Sequence, residues 1–298
     1  DVFKLYTNMF GKGDKFIKGT FTVDTTMSYS SLISTLQTVS TVNQTVTIQI
    51  TEGMTVDEIA QMMEDNLVCR AEDFMEQCET LGDTYKFQKR LEDEKLKYYQ
   101  MEGYIFPDTY EFYIIPALED NKELDTSDYA ADALDIIYQN FNNKITARYY
   151  NRMTELGLTL DETITLASIA QREADTTANM GNVASVFFNR MADEESFPHL
   201  ESDVTVHYVD EHIKPHLTNN QFDQKMFDAY NTYKCVGIPV GPICNPGLDA
   251  IKAVLYAPET NYYYFCADPE TTDMYFAETI AEHEENLRKC GLDHAIAD

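Results

Sequence analysis

Glu173 is the acid whose setting in this chain best suits proton transfer. It closes the run ITLASIAQRE, in which Leu166, Ile169 and Ala170 recur at helical spacing. At about 100° per residue, Glu173 returns to within about 20° of Leu166 and so shares the apolar side of that helix. Gln171 falls about 140° from Leu166, and Arg172 also turns away. A carboxyl in that position is either a surface group whose stem lies over apolar neighbours or a desolvated acid waiting for a substrate. The helix pattern leaves both readings open. Asp161 or Thr163 is expected to cap the start of the helix.

Other chemistries find less support. There is no Gly-rich phosphate loop, no GxSxG elbow and no HExxH pair. No serine or cysteine has a context that marks it as a nucleophile. His199, His207, His212 and His216 cluster in the chain, and His207 and His212 could converge with Asp203 on a metal. Their spacing fits no helix or hairpin template, so the expectation is a protein that works without metal or cofactor.

The charge balance narrows the partners. With 51 acidic against 22 basic residues, the net charge is -29. Such a surface repels nucleic acid and anionic headgroups, which argues against a polyanion-binding role. No apolar run is long enough to span a bilayer, and no signal peptide opens the sequence. Asp1 leads straight into VFKLYTNMF, as in a chain trimmed of a leader or anchor. The six cysteines, Cys69, Cys78, Cys235, Cys244, Cys266 and Cys290, contain no CxxC pair. Free thiols and a disulfide set both stay open.

The elements that must position Glu173 read as an α+β chain in three parts. Residues 1–45 form a small αβ subdomain, with a strand in KGTFTVD (18–24) and a helix from Ser28 to Val39. Residues 46–98 open with the strand VTIQI, then a helix capped by Thr55 and carrying Ile59, Met62 and Met63. A short helix follows between Cys69 and Cys78. Strand, Gly-containing turn and short helices resemble a LysM-like module, a fold often used to bind glycan. Lys86 to Gln100 is charged and reads as a solvated helix joining domains. Residues 99–298 form the largest part. It begins with the aromatic MEGYIFPDTYEFY, which is too apolar for a free linker, and continues through one or two amphipathic helices over 126–156. It ends with the central stretch, a strand in YYYFCA and a last helix from Thr279 to Lys289.

Seven blocks in one order make a signature: LASIAQREAD, VASVFFNRM, LESDVTVHY, YNTY, GIPVGPICNPGLDAIKAVLYAP, YYYFCAD and MYFAETIAEHEENL. This order resembles the endolytic peptidoglycan transglycosylases of the YceG-like family. EGYIFPDTY and the ITEGMT unit resemble the same family's entry segment and LysM-like module, so the likeness covers nearly everything from residue 46 onward. It implies that Glu173 is the catalytic acid. Asn189, Ser202, Asp203, Thr205, Tyr233 and Asn245 would then offer hydrogen bonds to sugar hydroxyls and N-acetyl groups. The plainer alternatives are a helix cap for Ser202, a turn for Asn245 and a structural ion pair for Arg190. Gln171 stands where the family often has Glu, Glu201 where it usually has Gln, and Val204 where it usually has Pro.

One carboxylate suits this chemistry. Ordinary glycosidases need two. A lytic transglycosylase uses the substrate's own C6 hydroxyl as nucleophile and closes a 1,6-anhydro ring on N-acetylmuramic acid, so one group serves as acid and then as base. The resemblance therefore implies cleavage of the MurNAc-GlcNAc bond of peptidoglycan strands at the outer face of the cytoplasmic membrane. The chain would be held there by an anchor outside these residues, among cell-wall synthesis proteins. The rival expectation is a non-catalytic peptidoglycan-binding scaffold, with QRE in place of EKE marking a lost activity.

Overall fold

Two short antiparallel ladders bracket a body of helices. In the computed structural model the described residues are 27–37, 44–119, 121, 124–217 and 223–292. The strand expected over 18–24 lies outside them. Helix α1 (Tyr29–Gln37) buries Ile33. Strand β1 (Thr45–Gln49) pairs with β2 (Thr109–Tyr113), Thr45 opposite Tyr113 and Gln49 opposite Thr109. The period-2 alternation sends Ile48, Tyr110 and Phe112 inward and leaves Thr47, Glu111 and Tyr113 exposed.

Between these strands lie α2 (Val56–Asp65) and α3 (Ala71–Cys78). The Glu58 carboxylate accepts the Thr55 N–H at 3.0 Å, which fixes the start of α2 where the sequence placed it. The run 86–100 departs from expectation. Only Gln88–Arg90 makes a short 3₁₀ turn, and Phe87, Lys97 and Tyr99 are buried. Phe87 is held among Tyr104 and Phe141, with ring centroids 5.7 and 4.6 Å away, so the chain is anchored at both ends of the run and turns between them. Structure also continues across residue 98. The partner of β1 is β2, Met101 N–H donates to the Cys78 carbonyl, and one apolar cluster runs from Ile48 to Leu255.

Helices α4 (Ser127–Lys144) and α5 (Ala147–Leu156) lead to α6 (Leu160–Glu173), which α7 (Thr177–Ala192) and α10 (Leu248–Leu255) cover. Every residue of α6 from Thr163 to Ala170 is buried, a helix apolar or hydrogen-bonded on all sides. Its cap is Thr159, in place of Asp161 or Thr163. Thr159 Oγ1 accepts the Glu162 N–H at 3.1 Å while Glu162 takes the Thr159 N–H at 2.8 Å. Asp161 instead receives Lys97 Nζ and Tyr104 OH, each at 2.5 Å. The short helices α8 (Val204–Tyr208) and α9 (Gln224–Tyr230) follow α7. The hairpin of β3 (Tyr264–Ala267) and β4 (Met274–Ala277) then carries α11 (Ile280–Lys289), the last helix where it was expected, with Thr279 as its cap. All six cysteines are free thiols. No helix among the described residues is long and apolar enough to cross a membrane.

Candidate active site

Glu173 is the last residue of α6, where the next residue, Ala174, turns to extended backbone. Burial of the helix end raises its pKa. The Ser202 hydrogen bond works against that rise, the Asp203 charge adds to it, and His207 opposes it. Ser202 Oγ donates to Glu173 Oε1 at 2.5 Å. Asp203 Oδ1 accepts from Tyr233 OH at 2.6 Å, and burial together with that carboxylate holds the phenol well above its ordinary range. Glu173, Ser202, Asp203 and Tyr233 therefore form one linked set.

Thr205 supports this set from beneath. Its hydroxyl donates to the Ser202 carbonyl at 2.8 Å and is fully buried. Thr232 completes the support: Ser202 N–H donates to its Oγ1 at 2.9 Å, and that hydroxyl donates back to the Ser202 carbonyl. Ser202 is not a helix cap, since its side chain is given to Glu173. Asn189 and Asn245 are engaged elsewhere. Asn189 Nδ2 bridges the Thr260 and Tyr262 carbonyls, tying α7 to the extended segment ahead of the hairpin. Asn245 is fully buried, with Oδ1 on the Ile105 N–H and Nδ2 on the Met54 carbonyl and Glu102. It is neither a simple turn residue nor open to a ligand.

The end of α6 is tied down by the two residues before Glu173. Gln171 Oε1 accepts the Gly247 N–H at 3.0 Å, and Arg172 Nη1 reaches the Gly53 carbonyl at 3.3 Å. Gly53 and Met54 exchange backbone hydrogen bonds with Asn245 at 2.9 and 2.8 Å, which closes the loop between β1, residues 243–247 and α6. The amide at 171 is thus an acceptor in a structural joint. The histidines go separate ways: His199 Nδ1 meets the Cys235 carbonyl, while His212 and His216 face Asp57. Among the described residues, no three His, Cys, Asp or Glu side chains are grouped to hold a metal ion.

Glu102 is the functional-looking group that sequence reasoning passed over. It is fully buried, with Oε2 accepting from Val56 N–H and Tyr208 OH and Oε1 from Asn245 Nδ2. Burial, only partly offset by those donors, raises its pKa to about 8. The available signal was an acid set in the otherwise uncharged run MEGYIF. An unfolded glutamate titrates near about 4.3. Between those values the folded chain keeps a proton that the unfolded chain has lost. This contribution to stability is full below about pH 4.3 and gone above about pH 8. Glu173, raised by burial, and His212, raised chiefly by its hydrogen bond to Asp57, act in the same direction. The urea midpoint is therefore expected to fall as pH rises from about 5 to 8, with a shallower fall in Glu102→Gln. A midpoint that is flat in wild type, or a slope untouched by the substitution, would show that Glu102 carries no such proton.

Fold and site together define an α+β protein that holds a desolvated carboxyl, in contact with a serine hydroxyl, at the end of a buried helix. The chain belongs to the YceG-like family, whose sequence model matches residues 1–289. It is similar to the endolytic murein transglycosylase of Streptococcus pneumoniae, 27% identical over 258 residues, which are 81% of this chain and 44% of that protein. It is also similar to the endolytic murein transglycosylase of Bacillus subtilis, 31% identical over 189 residues, 63% of this chain and 48% of that one. The chain spans about half the length of these curated relatives. A crystal structure of a yceG-like protein from Listeria monocytogenes shares the fold, with a TM-score of 0.61 at 24% identity over 96% of this chain and 89% of that one.

Proposed function

We propose that this chain is the cutting part of an endolytic murein transglycosylase, breaking the MurNAc-GlcNAc β-1,4 bond inside peptidoglycan strands. The observation that carries the reading is the Glu173 carboxyl, buried at the end of α6, where desolvation raises its pKa, and touched by the Ser202 hydroxyl. Protonated Glu173 gives its proton to the glycosidic oxygen as the bond from C1 of N-acetylmuramic acid breaks. The C6 hydroxyl of the same sugar then bonds to C1, and its proton passes to the Glu173 carboxylate, which restores the acid. Ser202 donates to that carboxylate at the stage when it is charged, so burial favours the first half of the reaction and the hydroxyl favours the second. Asp203 and Tyr233 stand at the exposed edge, suited to sugar hydroxyls.

Residues 46–98 belong to this reading as a LysM-like, glycan-holding part, joined to the cutting part through β2 and the Asn245 contacts. Names of the relatives support work on the cell wall outside the cytoplasmic membrane, in reach of cell-wall synthesis proteins. Purified peptidoglycan treated with the chain is expected to yield 1,6-anhydro ends by mass spectrometry. Hydrated reducing ends would instead make it a hydrolase, with Asp203 as the second carboxylate. Strands left uncut would favour a glycan-binding scaffold.

A further inference from the structure

We propose that Arg190 is a positioning residue for the reaction, acting through Glu201 to aim Ser202 at the catalytic carboxyl. This deepens the transglycosylase reading and rests on Glu173 as the acid. Glu201 has φ +52°, one of three non-glycine residues with positive φ among the described residues. A glutamate adopts this conformation only when its surroundings impose it, and such strain gathers at functional sites. The surroundings here are Arg190. Its side chain is 7% exposed, with the guanidinium carbon 5.6 Å from the rings of both Phe197 and Tyr264. Nε donates to the Tyr263 carbonyl at 2.8 Å. Nη1 faces three oxygens of one turn: the His199 carbonyl at 3.3 Å, the Leu200 carbonyl at 3.2 Å and Glu201 Oε2 at 2.8 Å.

That turn ends at Ser202. Glu201 N–H donates to the Thr232 carbonyl at 3.1 Å, and Ser202 N–H to Thr232 Oγ1, so the peptide on either side of Glu201 is held. If residue 201 relaxed to negative φ, the Ser202 peptide would rotate and its hydroxyl would leave Glu173. The charged and titratable groups around Glu173 are Asp203 at the N-terminal cap position of α8, His207 in its last turn, and Tyr233 from the turn after α9. On its own helix, Arg172 is turned to Gly53. None of them supplies a second hydroxyl to Glu173 Oε1 among the described hydrogen bonds.

The test turns on residue 201, which is exposed enough to change without unfolding the chain. Glu201→Ala loses the Arg190 contact and disfavours positive φ. Glu201→Gly loses the same contact but accepts that φ freely. A purely stabilising ion pair would make the two variants equally poor, or glycine the poorer. Positioning predicts that Glu201→Ala lowers kcat at least about tenfold with little change in KM, and that Glu201→Gly recovers most of the loss. It also predicts that the Glu173 carboxyl, followed by carbon NMR and assigned against Glu173→Gln, titrates at higher pH in Glu201→Ala, as in Ser202→Ala. Arg190→Lys should shift it in the same direction, and add nothing in a Ser202→Ala background. Wild-type kcat and titration in Glu201→Ala, or glycine no better than alanine, would overturn the positioning role while leaving the reaction in place. A titration that moves as expected in a protein that cuts no glycan would overturn the reaction while leaving the positioning.

Discussion

Glu173→Gln is expected to fold normally and to lose at least about 10²-fold in turnover, the lower end for removal of a general acid. The amide keeps the size of the side chain and an oxygen that can accept from Ser202 Oγ, now at 2.5 Å from Oε1. It carries no proton that can be given to a glycosidic oxygen. The same substitution removes the base that would take the C6 hydroxyl proton, so both halves of the proposed reaction fail together. Stability at neutral pH should hold or rise, because the helix end no longer has to bury an ionisable group whose pKa burial raises. The internal comparison is Gln171→Ala. That change frees the Gly247 N–H and loosens one joint of the loop, yet it leaves the acid and Ser202 in place, so turnover should stay within about tenfold of wild type. Circular dichroism and turnover of both variants on one glycan decide the matter. A folded Glu173→Gln protein with near-native turnover would end the single-acid mechanism.

How far the sequence carried the argument differs from element to element. Helix α6 and the inward side of Glu173 were legible because a regular 3.6-residue period reports directly on which residues share a face. The strands β1 and β3, the Thr55 cap, the start of the last helix near Thr279 and the helical pattern over 126–156 were legible for the same local reasons. Thr159 was missed as the cap of α6 because Asp161, a good cap by type, stands closer to the apolar run, yet it is drawn away by Lys97 and Tyr104. Lys97 comes from the segment read as a solvated linker and Tyr104 from the aromatic stretch after it, and no local pattern announces contacts of that separation. The partner of β1 was hidden likewise: β2 lies some sixty residues on, and strand pairing is a property of tertiary structure. Among the proposed site residues, Ser202, Asp203 and Tyr233 come together with Glu173. Asn189 spends its amide on backbone carbonyls and Asn245 on backbone groups and Glu102, a choice that depends on which polar groups are unpaired nearby. The φ of Glu201 and the burial of Glu102 belong to this second kind of fact.

Gly103→Ala is expected to destabilise the chain by about 3 kcal/mol or more, a large share of the stability of an ordinary domain. Gly103 has φ +91°, and a Cβ built there would lie 2.6 Å from Pro242 Cγ, 2.7 Å from Pro242 Cβ and 2.7 Å from Ile164 Cγ2. Neither neighbour can retreat cheaply. Pro242 is ring-locked and buried, and Ile164 is fully buried in α6, where displacement would be passed along a rigid helix to Glu173. Gly157 supplies the control, with φ +72° and nothing within 4 Å of a built Cβ. Gly157→Ala should cost only the backbone strain, about 1 kcal/mol. Urea unfolding of the two variants separates the contributions, since the backbone preference is common to both and the close approach belongs to Gly103 alone. Equal midpoints would mean that α6 and the 242–245 loop are not packed against residue 103 as described. A larger loss in Gly103→Ala should be accompanied, well below its melting temperature, by reduced turnover, because Pro242 leads directly into Asn245 and the Gly247 N–H that holds Gln171. The glycine of EGYIFP would then be the point at which this segment lets α6 come close enough to seat Glu173.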